Sequence, residues 1–407
     1  MSRKRASHEY NRRGAADYRV QTRELRSGPG PADSAIVRNA ADRLSMFRTT
    51  VGANWHRAAA LVGLTLLLHG CATRRGADAP PLSVAPPLAT AMPAEAASPL
   101  NPPPVAGLPM VRVRVTDAHG TRVVSMTLDE YVLGAVRAEL PPRTVPSDAA
   151  GRLLQVQAVV SRTYGLANLG RHKSEGFDLC DSTHCQMYRE RVAGEGDRDP
   201  AAMAVSATRG QVITYEGRVI QALFHSNCGG HTTSAGSVWG GPEVPYLRPV
   251  PDWFCTRAPN NVWSFTTDEA SLRQALNGDA RTQIGMRLDR IDIVERDPSG
   301  RAVLIAMAGT RAPLVRAEEF RTVLRRVFGQ GSIRSTWFSV TRNGERFVFS
   351  GVGYGHGVGL CQTGAALRAE AGQSPTDIIA HYFPGTRMIP AAAVLGITAV
   401  VASGLEP

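Results

Sequence analysis

Residues 346–371 read RFVFSGVGYGHGVGLCQTGAALRAEA, which is a strand, a glycine-rich loop and a helix in succession. Glycine adopts positive φ without strain and lets a ligand come close to the backbone. Such a unit resembles the outline of a dinucleotide site, but no register supplies G-x-G-x-x-G. Starting at Gly351, Gly353 or Gly355, the last position is His356, Val358 or Leu360, so the nucleotide reading fails. His356, between two glycines, is expected to reach a cleft and touch substrate. Gln362, opening the helix, either hydrogen-bonds a sugar amide or caps the loop, and Cys361 is expected to be buried.

On the N-terminal side, MVRVRVTD (110–117) alternates as a half-buried strand does, and RVVSM (122–126) offers it an antiparallel partner. TLDEYVLGAVRAELPP (127–142) then predicts a helix, with Thr127 and Glu130 as a capping box and Pro141-Pro142 as its stop. Leu128, Val132 and Ala135 share its buried face, and Glu139 falls on the same face. Partial burial and the negative end of the helix both push a carboxyl there toward its protonated form. A protonated acid is what glycosidic cleavage uses to protonate the leaving oxygen. A structural Glu paired with a buried Arg such as Arg162 is the competing reading. A second helix, opened by Ser147 or Asp148, carries Gln157, Ser161 and Tyr164 at i, i+4 and i+7, a polar stripe that lines a cleft or faces solvent. Strands alternating with a few helices favour a β-rich mixed α+β fold.

HKSEGFDLCDSTHCQ (172–186) has the spacing H-x7-C-x3-H-C. Two thiolates and two imidazoles suit zinc, although the spacing is not that of a finger, and an oxidising compartment favours a Cys180–Cys185 disulfide instead. His225 and Ser226 follow the apolar VIQALF (219–224) but point to opposite sides of a strand, and no G-x-S-x-G elbow occurs, which argues against a serine hydrolase. Cys228 and Cys255 have no histidine at metal spacing and are expected to form a disulfide in an exported protein.

Export is read from MFRTTVGANWHRAAALVGLTLLLHGCATRRG, beginning at Met46. Its apolar run, Ala58 to Leu68, has the length of a signal-peptide core and is too short to span a membrane. Residues 1–45 are basic and lack periodicity, so Met46 is a plausible start. Residues 1–70 hold 12 Lys and Arg against 5 Asp and Glu, leaving 34 against 30, so the net charge of +11 falls to +4 without them. Nucleic-acid binding thereby loses its main support. A Pro- and Ala-rich stretch, 71–108, reads as a disordered tether, the folded domain as 109–390, and 391–407 as an unassigned tail.

ELPP (139–142), QVQAVVSRTYGL (155–166), DLCDSTHCQMY (178–188), ALFHSNCGGHTTSAGSVWG (222–240), PYLRPVPDWFC (245–255), GVGYGHGVGLCQTGAALRAEAG (351–372) and IIAHYFPG (378–385) together resemble, in order, the sporulation stage II protein D (SpoIID/LytB domain) family. That resemblance implies a glycan-binding cleft and a lytic transglycosylase acting on peptide-stripped peptidoglycan strands. Glu139 would serve as acid and then as base, yielding 1,6-anhydro-muramic acid ends without water. Gln157, Arg162, Tyr164, His225, Ser226, His356 and Gln362 match family motif positions and are candidates for the saccharide groove. The resemblance also implies a structural zinc held by His172, Cys180, His184 and Cys185. Small residue plus Cys71 resembles a lipobox, implying a lipid anchor, with the outer membrane favoured because Ala72 is not aspartate. A glycan-binding module that enhances a cell-wall amidase is the alternative. Asp178, Asp181 and Asp252 are the second-acid candidates should the enzyme instead be a hydrolase.

Overall fold

The computed structural model describes residues 108–118, 120–140, 147–191, 199–259 and 261–396. The N-terminal extension, the signal peptide with Cys71, all but the last residue of the expected tether, and residues 397–407 of the tail lie outside the described residues. Among those described, no helix is long and apolar enough to cross a membrane.

The fold is mixed α+β. β1 (Met110–Asp117) and β2 (Gly120–Thr127) form the expected antiparallel hairpin, with Val111, Val113 and Val115 on its buried face. α1 (Leu128–Glu139) follows without a break. Its capping box is present: the Thr127 side chain accepts the Glu130 N–H, and the Glu130 carboxylate accepts the Thr127 N–H. α2 (Ser147–Ala167) packs on α1, and β3 (Leu179–Cys180) adds to β1 in parallel. α3 (Pro200–Ala207) then leads into β4 (Gln211–Tyr215), β5 (Arg218–Val219), β6 (Phe224–His225) and the short α4 (Ala235–Trp239).

Next comes a lobe with its own core: β7 (Val262–Asp268), α5 (Glu269–Asn277), β8 (Leu288–Arg296), β9 (Ala302–Gly309), β10 (Leu314–Arg316), α6 (Ala317–Phe328), β11 (Phe338–Asn343) and β12 (Arg346–Val352). Phe320, Phe338, Phe347 and Phe349 fill that core. The chain returns through the glycine loop to β13 (Leu360–Cys361), α7 (Gln362–Glu370), α8 (Pro375–Tyr382) and β14 (Arg387–Pro390), and a last turn, α9 (Ala391–Val394), begins the tail. β14 pairs with β4, and β13 lies parallel to β6, with Cys361 opposite His225. A long-range two-residue ladder therefore sets Ser226 and Gln362 side by side at the carboxyl ends of two strands. The loop makes this possible, because Gly353, Gly355, Gly357 and Gly359 all have positive φ.

Candidate active site and two thiol clusters

Glu139 ends α1 with its side chain half-buried. Its Oε1 accepts the Met187 N–H at 2.8 Å, and the Gln362 side chain donates a second hydrogen bond. Among the described residues no cation pairs with it. Burial raises the carboxyl above its usual range, and the two hydrogen bonds only partly offset that rise. Its surroundings are neutral amides. Gln362 Nε2 donates to Gln157 Oε1 at 3.3 Å, and Gln157 Nε2 donates to Ser161 Oγ at 3.1 Å. Gln186 continues the row, donating to the Tyr131 hydroxyl at 2.8 Å.

Arg162 is not the partner of Glu139, nor is it in a groove. Its guanidinium is 0% exposed and binds Asp129 at 2.9 Å, with carbonyls of Ala158, Val205 and Gln211 taking its other protons. Removal from water is offset there by a carboxylate and a ring of acceptors. Two more groove candidates are corrected likewise. Gln157 is 1% exposed and reaches a ligand only through Gln362. Tyr164 packs in the core beside the thiols of residues 180 and 185, where burial pushes its hydroxyl up to about 12.

His356 lies half-buried in the glycine loop with both ring nitrogens engaged. Nε2 donates to the Phe224 carbonyl at 2.9 Å, and Nδ1 accepts the Val358 N–H at 3.1 Å. Burial and nearby arginines push its pKa down to about 3, so the ring is neutral and offers a ligand only its face. The exposed Trp239 lies 5.2 Å away, centroid to centroid, an aromatic surface that nothing in the local sequence announced. His225 is buried and neutral, donating from Nδ1 to the Val358 carbonyl, and its Nε2 has no partner among the described residues. Ser226 is exposed beside Gln362, and its carbonyl accepts the Thr363 N–H at 2.9 Å.

The second-acid candidates are each engaged with other groups. Asp178 is bound by Arg112, whose hydrogen bond holds the carboxyl below its usual range. Asp181 accepts the Thr116 N–H at 2.7 Å, and Asp252 is buried among thiols.

With this geometry in view, residues 116–215 match the family model described as Stage II sporulation protein, SpoIID. The chain carries a SpoIID-family domain. Residues 262–359 match a second model, described only as a domain of unknown function, which corresponds to the inserted lobe. The chain is 29% identical to Stage II sporulation protein D of Bacillus amyloliquefaciens over 287 residues, covering 68% of this chain and 78% of that protein. Identity to the protein of the same name in Bacillus subtilis is 26% over 300 residues, covering 70% and 81%. A protein named Amidase enhancer, also from Bacillus subtilis, is 26% identical over 287 residues, covering 61% of this chain and 39% of that protein.

The SpoIID match contains Glu139 and the first of two thiol clusters. His172, Cys180, His184 and Cys185 bring one donor atom each to within 4.8 Å of the others. Cys185 Sγ is 3.4 Å from His172 Nε2 and 3.9 Å from His184 Nδ1, and Cys180 Sγ is 3.8 Å from His184 Nδ1. Ligands of a tetrahedral zinc stand about 3.5 Å apart, so the donor set fits that ion. Glu175 Oε1 lies 2.5 Å from His172 Nδ1, which leaves Nε2 free to ligate. Both thiols are free, so the Cys180–Cys185 disulfide is not formed. This cluster adjoins the acid, since Met187, two residues past Cys185, supplies the N–H to Glu139. The same segment packs tightly on α1: a Cβ at Gly134 would come 2.3 Å from the Tyr188 ring.

The expected Cys228–Cys255 disulfide is also absent, and both thiols are free. They share a buried pocket with Cys361 and Asp252, and again every donor atom lies within 4.8 Å of the others. Cys361 is buried as expected and caps α7, its Sγ accepting the Gly364 N–H.

Proposed function

We propose that this chain acts on the bacterial cell wall as a lytic transglycosylase, cleaving the MurNAc–GlcNAc bond of peptide-stripped peptidoglycan strands. The observation that carries the reading is the Glu139 carboxyl: half-buried, raised in pKa, without a cationic partner among the described residues and flanked by neutral amides. The names of the relatives, one of them an amidase enhancer, agree with a cell-wall role.

In this mechanism protonated Glu139 gives its proton to the glycosidic oxygen as the C1–O bond breaks. The resulting carboxylate takes the proton of the muramyl C6 hydroxyl, and O6 closes on C1 to form the 1,6-anhydro ring. Atoms balance without water, and Glu139 ends protonated. Most glycosidases use two carboxylates; here Asp178 is paired with Arg112, Asp181 accepts the Thr116 N–H and Asp252 sits among thiols, which supports the one-carboxylate reading. The Met187 N–H stabilises the carboxylate form between the two proton transfers, and Gln362 does the same while orienting the group. Ser226 and the Trp239 face are the exposed groups that meet sugar.

His172, Cys180, His184 and Cys185 would hold the zinc ion. A closed four-ligand site supplies structure rather than a Lewis acid, and here it would hold the segment that bears Met187. Lipid attachment at Cys71, with the domain facing the periplasm from the outer membrane, belongs to the same proposal. Digestion of peptide-free glycan strands by the full chain, followed by mass spectrometry, tests it. Anhydro-muramyl ends that vanish in Glu139→Gln are expected; glycan retention without cleavage would favour the amidase-enhancer reading, and reducing ends a hydrolase.

A further inference from the structure

Four buried donors from three separate segments meet beneath the Gln362 side of the site: Cys228 just after β6, Asp252 and Cys255 in one turn, and Cys361 at the head of α7. Cys361 Sγ lies 3.6 Å from Cys255 Sγ, and Cys228 Sγ lies 3.4 Å from Asp252 Oδ2. These separations are near the spacing of about 3.5 Å between ligands of a tetrahedral zinc. Three thiols in mutual contact have no pairwise disulfide arrangement that uses all of them.

Further features suit metal-bound thiolates. Backbone N–H groups point at the sulfurs: Cys228 and Gly364 donate to Cys361 Sγ at 3.2 and 3.3 Å, and Gly230 donates to Cys228 Sγ at 3.4 Å. Asp252 is held as ligating carboxylates are, with the Tyr382 hydroxyl 2.7 Å from Oδ2 and Arg368 3.4 Å from Oδ1. The guanidinium of Arg301 is buried with no carboxylate partner among the described residues. It donates to the Cys228 carbonyl at 2.6 Å, while Nε and Nη1 have no acceptor. A buried cation of this kind needs nearby negative charge, and Asp297 and the Cys228 sulfur are the groups close enough to supply it. Three thiolates, one carboxylate and a divalent ion sum to −2, and Arg301 and Arg368 bring positive charge beside them. Gly364 is small for the same reason, since a Cβ there would lie 1.9 Å from Asp252 Oδ2.

We propose that Cys228, Asp252, Cys255 and Cys361 form a second, closed zinc site that fixes the head of α7 and so places Gln362 against Glu139. Unlike the zinc of the His172 cluster, it uses no imidazole and joins strand, turn and helix across more than a hundred residues. The site stands independently of the reading of Glu139.

Elemental analysis of the full chain, purified without chelator, tests it. A zinc-to-protein ratio of about 2 is expected, falling to about 1 in Cys361→Ser and to about 1 in Cys180→Ser. X-ray absorption of the unmutated protein, which needs no variant to fold, should show more sulfur than nitrogen and oxygen together, because five of the eight donors are thiolates. A ratio of about 1 that Cys180→Ser abolishes and Cys361→Ser leaves intact would overturn the second site while sparing the first. The converse pattern would remove the first and keep the second. A Cys228–Cys255 disulfide in a peptide map of never-reduced protein would also overturn the second.

Discussion

Two partners hold the Glu139 carboxyl, and each comes from a different wall of the site. Met187 follows the His172–Cys185 cluster, whose four donors lie within one short stretch of chain. Gln362 follows Cys361, whose companions Cys228, Asp252 and Cys255 precede it by more than a hundred residues. Both walls rest on the same device, a group of thiols one or two residues from the side chain or N–H that touches the acid. They differ in how the chain assembles them. The first closes a local loop onto α1, and the second depends on a lobe folding between its parts. The half-buried Glu139 carboxyl, with no counter-ion among the described residues, is thus held by neutral hydrogen bonds, with a thiol cluster close behind each of them.

Removing the acid should produce the largest effect. Glu139→Gln is expected to lower the cleavage rate by about 10²–10⁴-fold. Its folded-state pKa is raised above the unfolded value, so the ionised form costs stability above the unfolded pKa. Glutamine has no such charge, and the melting temperature of the variant at neutral pH should stay level or rise. A melting temperature that falls sharply would mean that Glu139 is structural.

Arg162→Met should do the reverse. Asp129 would keep its longer contact to Arg209 at 3.7 Å. The loss is expected to lower stability in urea unfolding by less than the about 3–5 kcal/mol of a wholly uncompensated buried charge, with the rate per folded molecule unchanged. A specific loss of rate in folded protein would return Arg162 to the groove.

Breaking the first wall comes next. Cys185→Ser, or zinc removal by chelator, is expected to lower activity by about 10–100-fold and to restore it on zinc addition only in the unmutated chain. Activity that persists after the metal is shown to have left would separate the cluster from Met187.

The smallest effect tests the second wall. The initial acid must be protonated, so the rate should fall as pH rises through the raised pKa of Glu139. Gln362 favours the carboxylate, and Gln362→Ala should therefore move that alkaline limb to higher pH while lowering the rate modestly. A limb that does not move would place Gln362 away from the acid.

Local features were legible in the sequence. The β1–β2 hairpin, the Thr127–Glu130 capping box and the buried face of α1 follow from period and capping chemistry, and each stands where expected. The His172–Cys185 donors were legible because they are near one another in sequence. Features that needed tertiary contact were not. Gln157 and Arg162 share a helix that looked half polar, but β4 and α3 close over it, so its polar groups face acceptors rather than ligand. Cys228 and Cys255 looked like a pair because Cys361 and Asp252 join them only through the β6–β13 ladder and the Asp252 turn. The Met187 N–H is a backbone group, which no residue pattern marks.

In the proposed reaction one carboxyl works twice and water never enters. Digestion of peptide-free strands in water enriched in oxygen-18 measures this directly. Anhydro-muramyl ends that carry no label, absent from the Glu139→Gln digest, are expected. Labelled reducing ends, or unlabelled anhydro ends that persist in Glu139→Gln, would contradict it.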